Sequence, residues 1–290
     1  MSHARSLRDM LATKSVIKAP GVYDGLSTLL VEKAGFPAAF LSGGSLSFSR
    51  FGRPDMGLVT ASEVADTVAI IRERTNIPLI VDMDTGFGNA LNVRRTVETF
   101  ERAGASALQM EDQVAPKRCG HMAGKQVISI NEMVGKIEAA LDARRNEDTI
   151  IVARTDALGV NGFDDAIERG HKYVEAGCDV LFIEAPKSVE QMKIIGNTFA
   201  DKIPLMHNLV EGGGSPIGGA REMADLRYKL ALYPVALLHL FVKQAPALLQ
   251  HILDEGSTTA WQQEMIDLKD MNILLGSGDL LNTDKKYAKN

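Results

Sequence analysis

One segment of the sequence sets a thiol among three groups that can carry positive charge. Lys117 and Arg118 precede Cys119, and His121 follows it two residues later. Nearby cations lower the pKa of a thiol, so Cys119 could exchange a proton with a substrate near neutral pH. The same cations could attract a carboxylate, and Gly120 would let the backbone approach a ligand. A solvated basic loop and a Cys/His metal site are the alternatives, although zinc would require more ligands at a suitable spacing.

Two aspartates, Asp82 and Asp84, follow the apolar residues 77–81. Residues i and i+2 of a strand share a face, so both carboxylates can point the same way. Two negative charges held so close together are unfavourable unless a cation lies between them. Carboxylate oxygens are suitable ligands for Mg²⁺ or Mn²⁺, with water or substrate completing the coordination shell. A solvated turn after a strand is the alternative, but the position directly after an apolar run favours a metal site.

Further polar residues stand where apolar segments end. Glu111 could bind the metal through water or orient a substrate hydroxyl, while Asp112 beside it could equally be a capping residue. Arg154 could hold a carboxylate through two parallel hydrogen bonds, with a structural salt bridge to an acidic neighbour as the alternative. Glu184 is a candidate for the metal's surroundings or for a base. The turn of Ser42, Gly43 and Gly44 could offer backbone N–H groups and a hydroxyl to an anion.

These residues need a scaffold that brings strand ends together, and the chain alternates short apolar runs with amphipathic segments. That alternation predicts βαβ units and a parallel sheet. Eight such strands suit a closed (β/α)8 barrel, whose active sites gather at the carboxyl ends of the strands; a doubly wound open sheet is the alternative. The predicted strands are Val16–Pro20, Ala38–Ser42, Pro78–Asp82, Ala107–Glu111, Thr149–Arg154, Val180–Glu184, Ile203–Asn208 and Lys229–Tyr233.

The segments between the strands and after the last one are predicted to be helical. After Tyr233-Pro234 the pattern is mostly helical from about residue 235, and the polar residues 276–290 are expected to be disordered or to pack on a neighbouring subunit. We expect a single barrel domain, residues 1–290, with this helical C-terminal segment. The predicted helices are Ala61–Thr75, Asn92–Arg102, Ile130–Arg144, Phe163–Glu175, Ser188–Thr198, Val235–Glu255 and 260–275.

The composition excludes several classes of protein. The net charge is −5 and no long basic run occurs, which argues against a nucleic-acid binder. The two cysteines, Cys119 and Cys178, are too few for a secreted disulfide framework, so reduced thiols in the cytoplasm are expected. The N-terminus lacks the apolar core of a signal peptide, and the sequence lacks a run of about 18 apolar residues that would span a membrane.

The Lys117–His121 stretch, together with Asp82-Met83-Asp84, resembles the isocitrate lyase/phosphoenolpyruvate mutase superfamily. The likeness extends from about Gly21 to Pro234. It implies a barrel whose last helix is exchanged between subunits, assembled as a homotetramer of paired dimers. It also implies Mg²⁺ near Asp82 and Asp84, and Cys119 on a mobile gating loop. The motifs that carry the likeness include 42–44, 54–57, 111–113, 153–157 and 208–213.

Within the superfamily the chain resembles the short lyases that act on 2-methylisocitrate or 2,3-dimethylmalate. It is also similar to carboxyphosphonoenolpyruvate phosphonomutase and to oxaloacetate-cleaving members. Methylisocitrate-cleaving members usually have threonine at the position of Val210 and arginine at that of His239, where they help to hold the distal carboxylates. This departure weighs against a tricarboxylate substrate, although another cation could replace the arginine.

The resemblance implies a Mg²⁺-dependent cleavage of a carbon–carbon bond in a 2-hydroxy di- or tricarboxylate, giving a 2-keto acid such as pyruvate and a second carboxylate. Cys119 would act as general acid, and Arg154, His121 and Asn208 would stabilise the charge that develops. A phosphonomutase, an oxaloacetate-cleaving enzyme and a non-catalytic binding barrel are the alternatives. The predicted catalytic residues are Cys119, Glu111, Arg154 and His121; the substrate-binding residues are Ser42, Gly43, Gly44, Asp55, Lys117, Arg118, Gly120, Arg154, Glu184 and Asn208; and the metal ligands are Asp82, Asp84 and Glu111.

Overall fold

A computed structural model describes residues 2–13, 15–120, 122 and 124–288 of the chain. The chain divides into two compact units, Met1–His239 and Leu240–Asn290. The first unit contains all the strands, and the second contains helices. Whether the whole chain behaves as one domain, as the sequence suggests, stays a prediction.

The strands of the first unit form a closed parallel barrel. Each strand pairs with the next one along the chain, and β1 pairs with β8 to close the ring. The closed barrel is therefore confirmed, the open-sheet alternative is wrong, and each predicted strand boundary lies within two residues of the observed one. The strands are β1 Ile17–Val22, β2 Ala39–Leu41, β3 Leu79–Asp82, β4 Ala107–Glu111, β5 Ile150–Thr155, β6 Val180–Ile183, β7 Leu205–Asn208 and β8 Leu230–Tyr233.

The strands are buried on both faces, which explains why they read as continuous apolar runs rather than as alternating patterns. Side chains such as Ile80, Val152 and Phe182 form one apolar cluster, and other strand residues pack in a second cluster with the helices. Leu7 belongs to the first cluster together with Ile17, which begins β1. The barrel interior is therefore packed rather than open.

The five predicted helices between strands are confirmed, and four further helices, α1, α2, α3 and α9, are present in the first unit. Local caps define their ends: Thr60 and Glu63 form a capping box at α4, and Gly104 ends α5 in the left-handed conformation. The helices of the chain are α1 His3–Leu11, α2 Gly25–Lys33, α3 Gly43–Leu46, α4 Ala61–Arg74, α5 Ala90–Ala103, α6 Ile130–Ala143, α7 Phe163–Glu175, α8 Val189–Phe199, α9 Ala220–Asp225, α10 Ala236–Glu255, α11 Leu268–Leu275 and α12 Ser277–Tyr287.

Helix α1 lies at the end of the barrel where the strands begin. Arg8 on this helix pairs with Asp179 at 2.8 Å and donates to the backbone carbonyls of Asp148 and Thr149, which precede β5. This end of the barrel is thus held by ion pairs and apolar packing. The opposite end, where the strands finish, carries the polar residues that the sequence singled out.

The second unit corrects one expectation. Residues 276–290 were expected to be disordered or to pack on a neighbouring subunit; Ser277–Tyr287 form α12, so disorder is wrong for this part, and packing on a neighbouring subunit stays a prediction. Gly276 ends α11 in the left-handed conformation, and Lys285 and Lys286 in the last turn of α12 complement the helix dipole. None of the helices in the described part of the chain combines the length and apolarity that crossing a membrane requires.

Candidate active site

A cavity of about 70 Å³ lies at the carboxyl ends of the strands. Asp82 ends β3, Asn208 ends β7, Arg154 lies one residue before the end of β5, and Glu184 directly follows β6. Parallel strands end on the same rim of a barrel, which is why residues far apart in sequence meet here. The cavity is lined by Phe40, Ser42, Gly44, Phe48, Asp55, Asp82, Lys117, Cys119, Gly120, Arg154, Glu184, Asn208, Val210, Pro234 and Val235.

The Asp82 carboxylate is held by the backbone around it. Its Oδ2 accepts from Gly43 N at 3.2 Å, and its Oδ1 accepts from Asp84 N at 3.2 Å and from Gln109 Nε2 at 3.4 Å. Asp84 adopts a φ of 47°, a left-handed conformation that is uncommon outside glycine and that gathers at functional sites. The predicted anion-binding role of Gly43 is therefore modified, because its N–H already serves the Asp82 carboxylate.

The two aspartates fit a divalent cation. A Cβ atom on Gly43 would lie 3.1 Å from Asp84 Oδ1 and 3.2 Å from Asp82 Oδ2, so both oxygens face the same small space. Within the described residues, the buried Glu111 Oε1 accepts no hydrogen bond, and the buried Asp84 Oδ1 lies 3.0 Å from Lys117 Nζ. Among those same residues, no three His, Cys, Asp or Glu side chains are grouped to hold a metal. Two carboxylates with open positions for water or substrate match the way Mg²⁺ is commonly bound.

Lys117 occupies a different position from the one its sequence context suggests. Its Nζ lies 2.6 Å from Asp55 Oδ1 and 3.0 Å from Asp84 Oδ1, and its side chain is 5% exposed. Burial opposes its charge, but Asp84, Glu111, Asp82 and Asp55 outweigh burial and raise the pKa of Lys117 well above its usual value. Burial raises the pKa of Asp84 to about 7, and Lys117 opposes that rise. The lysine therefore balances the acidic cluster as well as lining the cavity.

Arg154 is buried between two carboxylates. Its Nη1 lies 3.2 Å from Glu111 Oε2, while Nε and Nη2 donate to Asp156 at 2.9 and 3.1 Å. Its guanidinium also lies 5.3 Å from the centre of the Phe182 ring. The structural salt bridge considered as an alternative is therefore present, yet Arg154 also lines the cavity, so it can meet a substrate in a fixed orientation.

The two carboxylates that pair with Arg154 have pKa values shifted in opposite directions. Burial raises the pKa of Glu111 well above its usual range, and Arg154 only partly opposes this. For Asp156 burial acts the same way, but Arg154 and then Lys125 overcome it and lower the pKa. Asp156 is thus the carboxylate of this group that stays ionised.

Residues 117–125, which we call the gating segment after the family resemblance, place Lys117, Cys119 and Gly120 at the cavity. Cys119 N donates to Asp55 O at 3.2 Å, and the half-buried Cys119 lines the cavity. A Cβ atom on Gly120 would lie 2.5 Å from Arg154 Nη2 and 2.7 Å from Glu184 Oε1, so only glycine allows this approach. The Arg118 side chain is exposed and is not among the described residues that line the cavity. The predicted catalytic residue His121 lies outside the described residues.

Two further predicted residues meet on the same rim, at the ends of β6 and β7. Asn208 Nδ2 donates to Glu184 Oε2 at 3.4 Å. In the described structure the buried Asn208 Oδ1 accepts no hydrogen bond, which leaves an acceptor available to a ligand. Ser42, which caps α3, completes this side of the cavity, and its side chain accepts from Ser45 N.

Asp112, for which capping and function were equally weighted, is a structural residue. It is fully buried and accepts hydrogen bonds from Thr155 Oγ1 at 2.7 Å, Asp156 N at 2.9 Å and Tyr173 Oη at 2.8 Å. Arg169 Nη1 donates to the same carboxylate at 3.1 Å. These bonds fix the end of β5, and so the backbone beside Arg154.

Sequence reasoning missed the apolar wall of the cavity. Phe40, Phe48, Pro234 and Val235 line it, but apolar residues near strand ends are indistinguishable by pattern from ordinary core. Val210, noted only as a departure from a family pattern, also lines the cavity. His239, the other departure, is exposed.

Comparison with known families identifies the chain. Residues 7–228 match the model of the family described as phosphoenolpyruvate phosphomutase. The chain belongs to this family. The superfamily resemblance drawn from the gating segment and the Asp82–Asp84 pair is therefore confirmed. As a phosphoenolpyruvate phosphomutase family member, the chain is an enzyme of the isocitrate lyase/phosphoenolpyruvate mutase superfamily.

Family members with similar sequences and structures carry several activities in their names. The chain is 40% identical over 99% of its length to 2,3-dimethylmalate lyase from Eubacterium barkeri, of which it covers 99%. It is 41% identical over 98% of its length to 2-methylisocitrate lyase from Aeropyrum pernix, of which it covers 90%. Among solved structures, oxaloacetate acetylhydrolase with 3,3-difluorooxalacetate superposes with a TM-score of 0.92 and 33% identity, covering 98% of this chain and 97% of that one. Phosphonopyruvate hydrolase in complex with oxalate and Mg²⁺ gives 0.90 and 29%, covering 100% of both.

Proposed function

We propose that this chain is a Mg²⁺-dependent lyase that cleaves a carbon–carbon bond in a 2-hydroxy acid with at least two carboxylates, releasing a 2-keto acid such as pyruvate. The observation that carries the proposal is the position of Cys119, whose thiol lines the same cavity as Asp82 and Arg154. A proton donor in the same cavity as a metal site is what a carbanion-forming cleavage needs. The names of the similar lyases support the same reaction class.

Each residue has a role that its surroundings favour. Asp82 and Asp84 would hold Mg²⁺, with Glu111 and Glu184 near its water shell. When bound, the metal lowers the pKa of the substrate hydroxyl and polarises the adjacent carboxylate. Arg154, oriented by its two ion pairs, would hold the carboxylate on which charge develops.

The proton donor and the remaining contacts come from the gating segment and the rim. Cys119 would deliver a proton to carbon, and Asn208 would hydrogen-bond the substrate. Gly120 lets the segment close over the site and keep water out. Ser42, Gly44 and Asp55 complete the surroundings of the substrate. Roles for His121 and Arg118 stay predictions that rest on their positions beside Cys119 in the sequence and on the family resemblance.

The apolar wall favours a compact substrate. Val210, Phe48 and Val235 are among the residues that line the cavity, and a carboxylate placed against such side chains would lose its hydration without gaining a hydrogen bond. A methyl group would instead be stabilised there. We therefore favour a methyl-substituted malate over a tricarboxylate such as 2-methylisocitrate.

A substrate panel tests the function. With Mg²⁺ present, we expect the kcat/KM for cleavage of 2,3-dimethylmalate, measured as 2-keto acid release, to exceed the kcat/KM for cleavage of 2-methylisocitrate. It should also exceed the kcat/KM for cleavage of oxaloacetate. A phosphonate substrate followed by phosphorus NMR forms the competing arm, since the family includes phosphoryl-transfer chemistry. Turnover of the phosphonate without cleavage of any hydroxy acid would contradict the lyase proposal.

The chain is also proposed to work as a homotetramer. The second unit exposes large apolar side chains, including Phe241 at 62% and Leu253 at 78%, which a monomer rarely leaves in water. The first unit carries a mostly apolar groove of about 840 Å³ lined by Leu30, Phe36 and Leu237 among others. A second copy of the chain, with its C-terminal helices exchanged as the family resemblance implies, would cover these surfaces. A cytoplasmic location, which keeps Cys119 reduced, suits this enzyme.

Replacing Leu253 by aspartate is expected to shift the mass measured by light scattering from the tetramer to smaller species, because the charge would be buried in the interface. Leu91→Asp is the matched control. Leu91 lies on α5 of the barrel with 75% exposure, close to the 78% of Leu253, so the same change should leave the mass unaltered. A wild-type protein that is monomeric at micromolar concentration would contradict the proposed assembly.

A further inference from the structure

Lys125, at the far end of the gating segment, joins two parts of the site. Its Nζ donates to Gly120 O at 2.5 Å and to Asp156 Oδ1 at 2.9 Å. The Lys125 side chain is 6% exposed and that of Asp156 is fully buried. Lys125 is not among the described residues that line the cavity, so it does not meet the substrate directly.

The partner of Lys125 is the carboxylate that also orients Arg154. Asp156 accepts from Arg154 through both of its oxygens and from Lys125 through Oδ1. Its backbone N–H in turn donates to Asp112 at 2.9 Å, so the position of Asp156 is fixed by the strand ends. One rigidly held carboxylate therefore anchors both the buried arginine and the lysine that binds Gly120.

We propose that Lys125 is a positioning residue that holds Cys119 and Gly120 at the cavity, by bridging the Gly120 carbonyl to Asp156. Because Gly120 packs directly against Arg154 and Glu184, the bridge also sets the distance between Cys119 and the groups across the cavity. The inference rests on the proposed function, since it assumes that Cys119, the residue held in place, is the proton donor.

Removing the lysine should loosen the segment without unfolding the barrel. Breaking a buried ion pair is usually costly because it leaves a buried charge without compensation. Here Asp156 would keep its two hydrogen bonds from Arg154, so its charge stays balanced. What is lost is the bond that ties Gly120 to the end of β5, and with it the hold on Gly120 and the neighbouring Cys119 at the cavity.

Accessibility of the Cys119 thiol tests the bridge independently of turnover. The rate of carbamidomethylation by iodoacetamide is followed by peptide mass spectrometry, with and without oxalate plus Mg²⁺. We expect the two ligands to slow modification of wild type, and Lys125→Met to be modified at least about tenfold faster than wild type in their presence. Lys125→Arg should restore much of the protection. Lys172→Met is the matched control, since it removes a surface ion pair with Glu175 at 2.8 Å.

Kinetics separate positioning from general damage. Substrate binding groups on the strand ends are intact in Lys125→Met, so KM should change less than about threefold while kcat falls about 10- to 100-fold. Lys125→Arg should recover most of kcat. Melting temperatures of the variants identify any loss of folded protein.

The outcomes distinguish this inference from the proposed function. If Lys125→Met keeps the protection and kcat of Lys172→Met, the bridge is overturned even when the lyase activity is found. If wild type cleaves none of the acids but Lys125→Met still loses ligand protection that Lys125→Arg regains, the bridge is supported and the lyase proposal fails. Equal modification of wild type and Lys125→Met in both conditions also overturns the bridge.

Discussion

Cys119→Ala is expected to lower kcat for the best cleaved acid by a factor of about 10²–10⁴, the range that one general acid contributes. Cys119 lines the same cavity as Arg154, and alanine at this position can neither donate a proton nor hold a water in its place with the same geometry. Metal and carboxylate contacts are untouched, so KM should stay within about threefold. Steady-state release of the 2-keto acid measures both constants.

The second cysteine supplies a control with the identical substitution. Cys178 is 7% exposed in the apolar core, and burial raises its pKa to about 12, so it is a poor proton donor. Cys178→Ala should therefore leave kcat within about twofold of wild type. Near wild-type turnover of Cys119→Ala would remove Cys119 from the proton-transfer step, whatever the substrate.

The sequence was most informative where polar residues follow apolar runs. Asp82 and Asn208 end their strands as predicted, because a buried parallel strand leaves a clear apolar signature and the barrel brings every strand end to one rim. Glu111 ends β4 in the same way, and its partner Arg154 lies beside it in the strand register. For these residues, strand position alone was enough to place the side chain near the site.

Side-chain pairing could not be predicted in the same way. Lys117 was expected to attract a substrate carboxylate, yet it is held by Asp55 and Asp84. Lys125 and Asp156 are 31 residues apart, and their ion pair exists only because the gating segment folds back onto the end of β5. Such contacts depend on loop conformation, which has no periodicity to read from a sequence.

The helices at the two ends of the chain illustrate a further limit. Helix α1 has charged residues interspersed with apolar ones. Its contribution to the core becomes visible in the structure, where Leu7 packs with the strand residues of the barrel interior. Helix α12 is polar by composition but forms nonetheless. Short helices depend on tertiary packing more than on their own propensity, so local pattern underestimates them.

Removal of the metal is expected to have an effect as large as loss of the thiol. Treatment with a chelator should abolish cleavage, and added Mg²⁺ should restore it, because Asp82 and Asp84 present two carboxylate oxygens to one small space beside Gly43. Asp84→Asn removes one of the two charges while keeping the shape of the side chain. We expect kcat/KM to fall by a factor on the order of 10²–10³, the loss typical of one electrostatic contributor, and a higher Mg²⁺ concentration to be needed for half-maximal rate.

Asp148→Asn is the matched control for Asp84→Asn, because it removes the same charge at a position outside the proposed metal site. Asp148 lies at the opposite end of the barrel, where it pairs with Arg5 at 3.2 Å on the surface, so the same substitution there should leave the Mg²⁺ dependence unchanged. Asp84→Asn also leaves Lys117 with Asp55 as its nearer carboxylate, at 2.6 Å, so the lysine keeps a partner and the fold should persist. Full turnover in excess chelator would contradict the metal site. Within the described residues, Lys117, whose Nζ lies 3.0 Å from Asp84 Oδ1, would then be the cation that faces this carboxylate. If Asp84→Asn requires more Mg²⁺ and Asp148→Asn does not, the metal is assigned to the carboxyl end of β3.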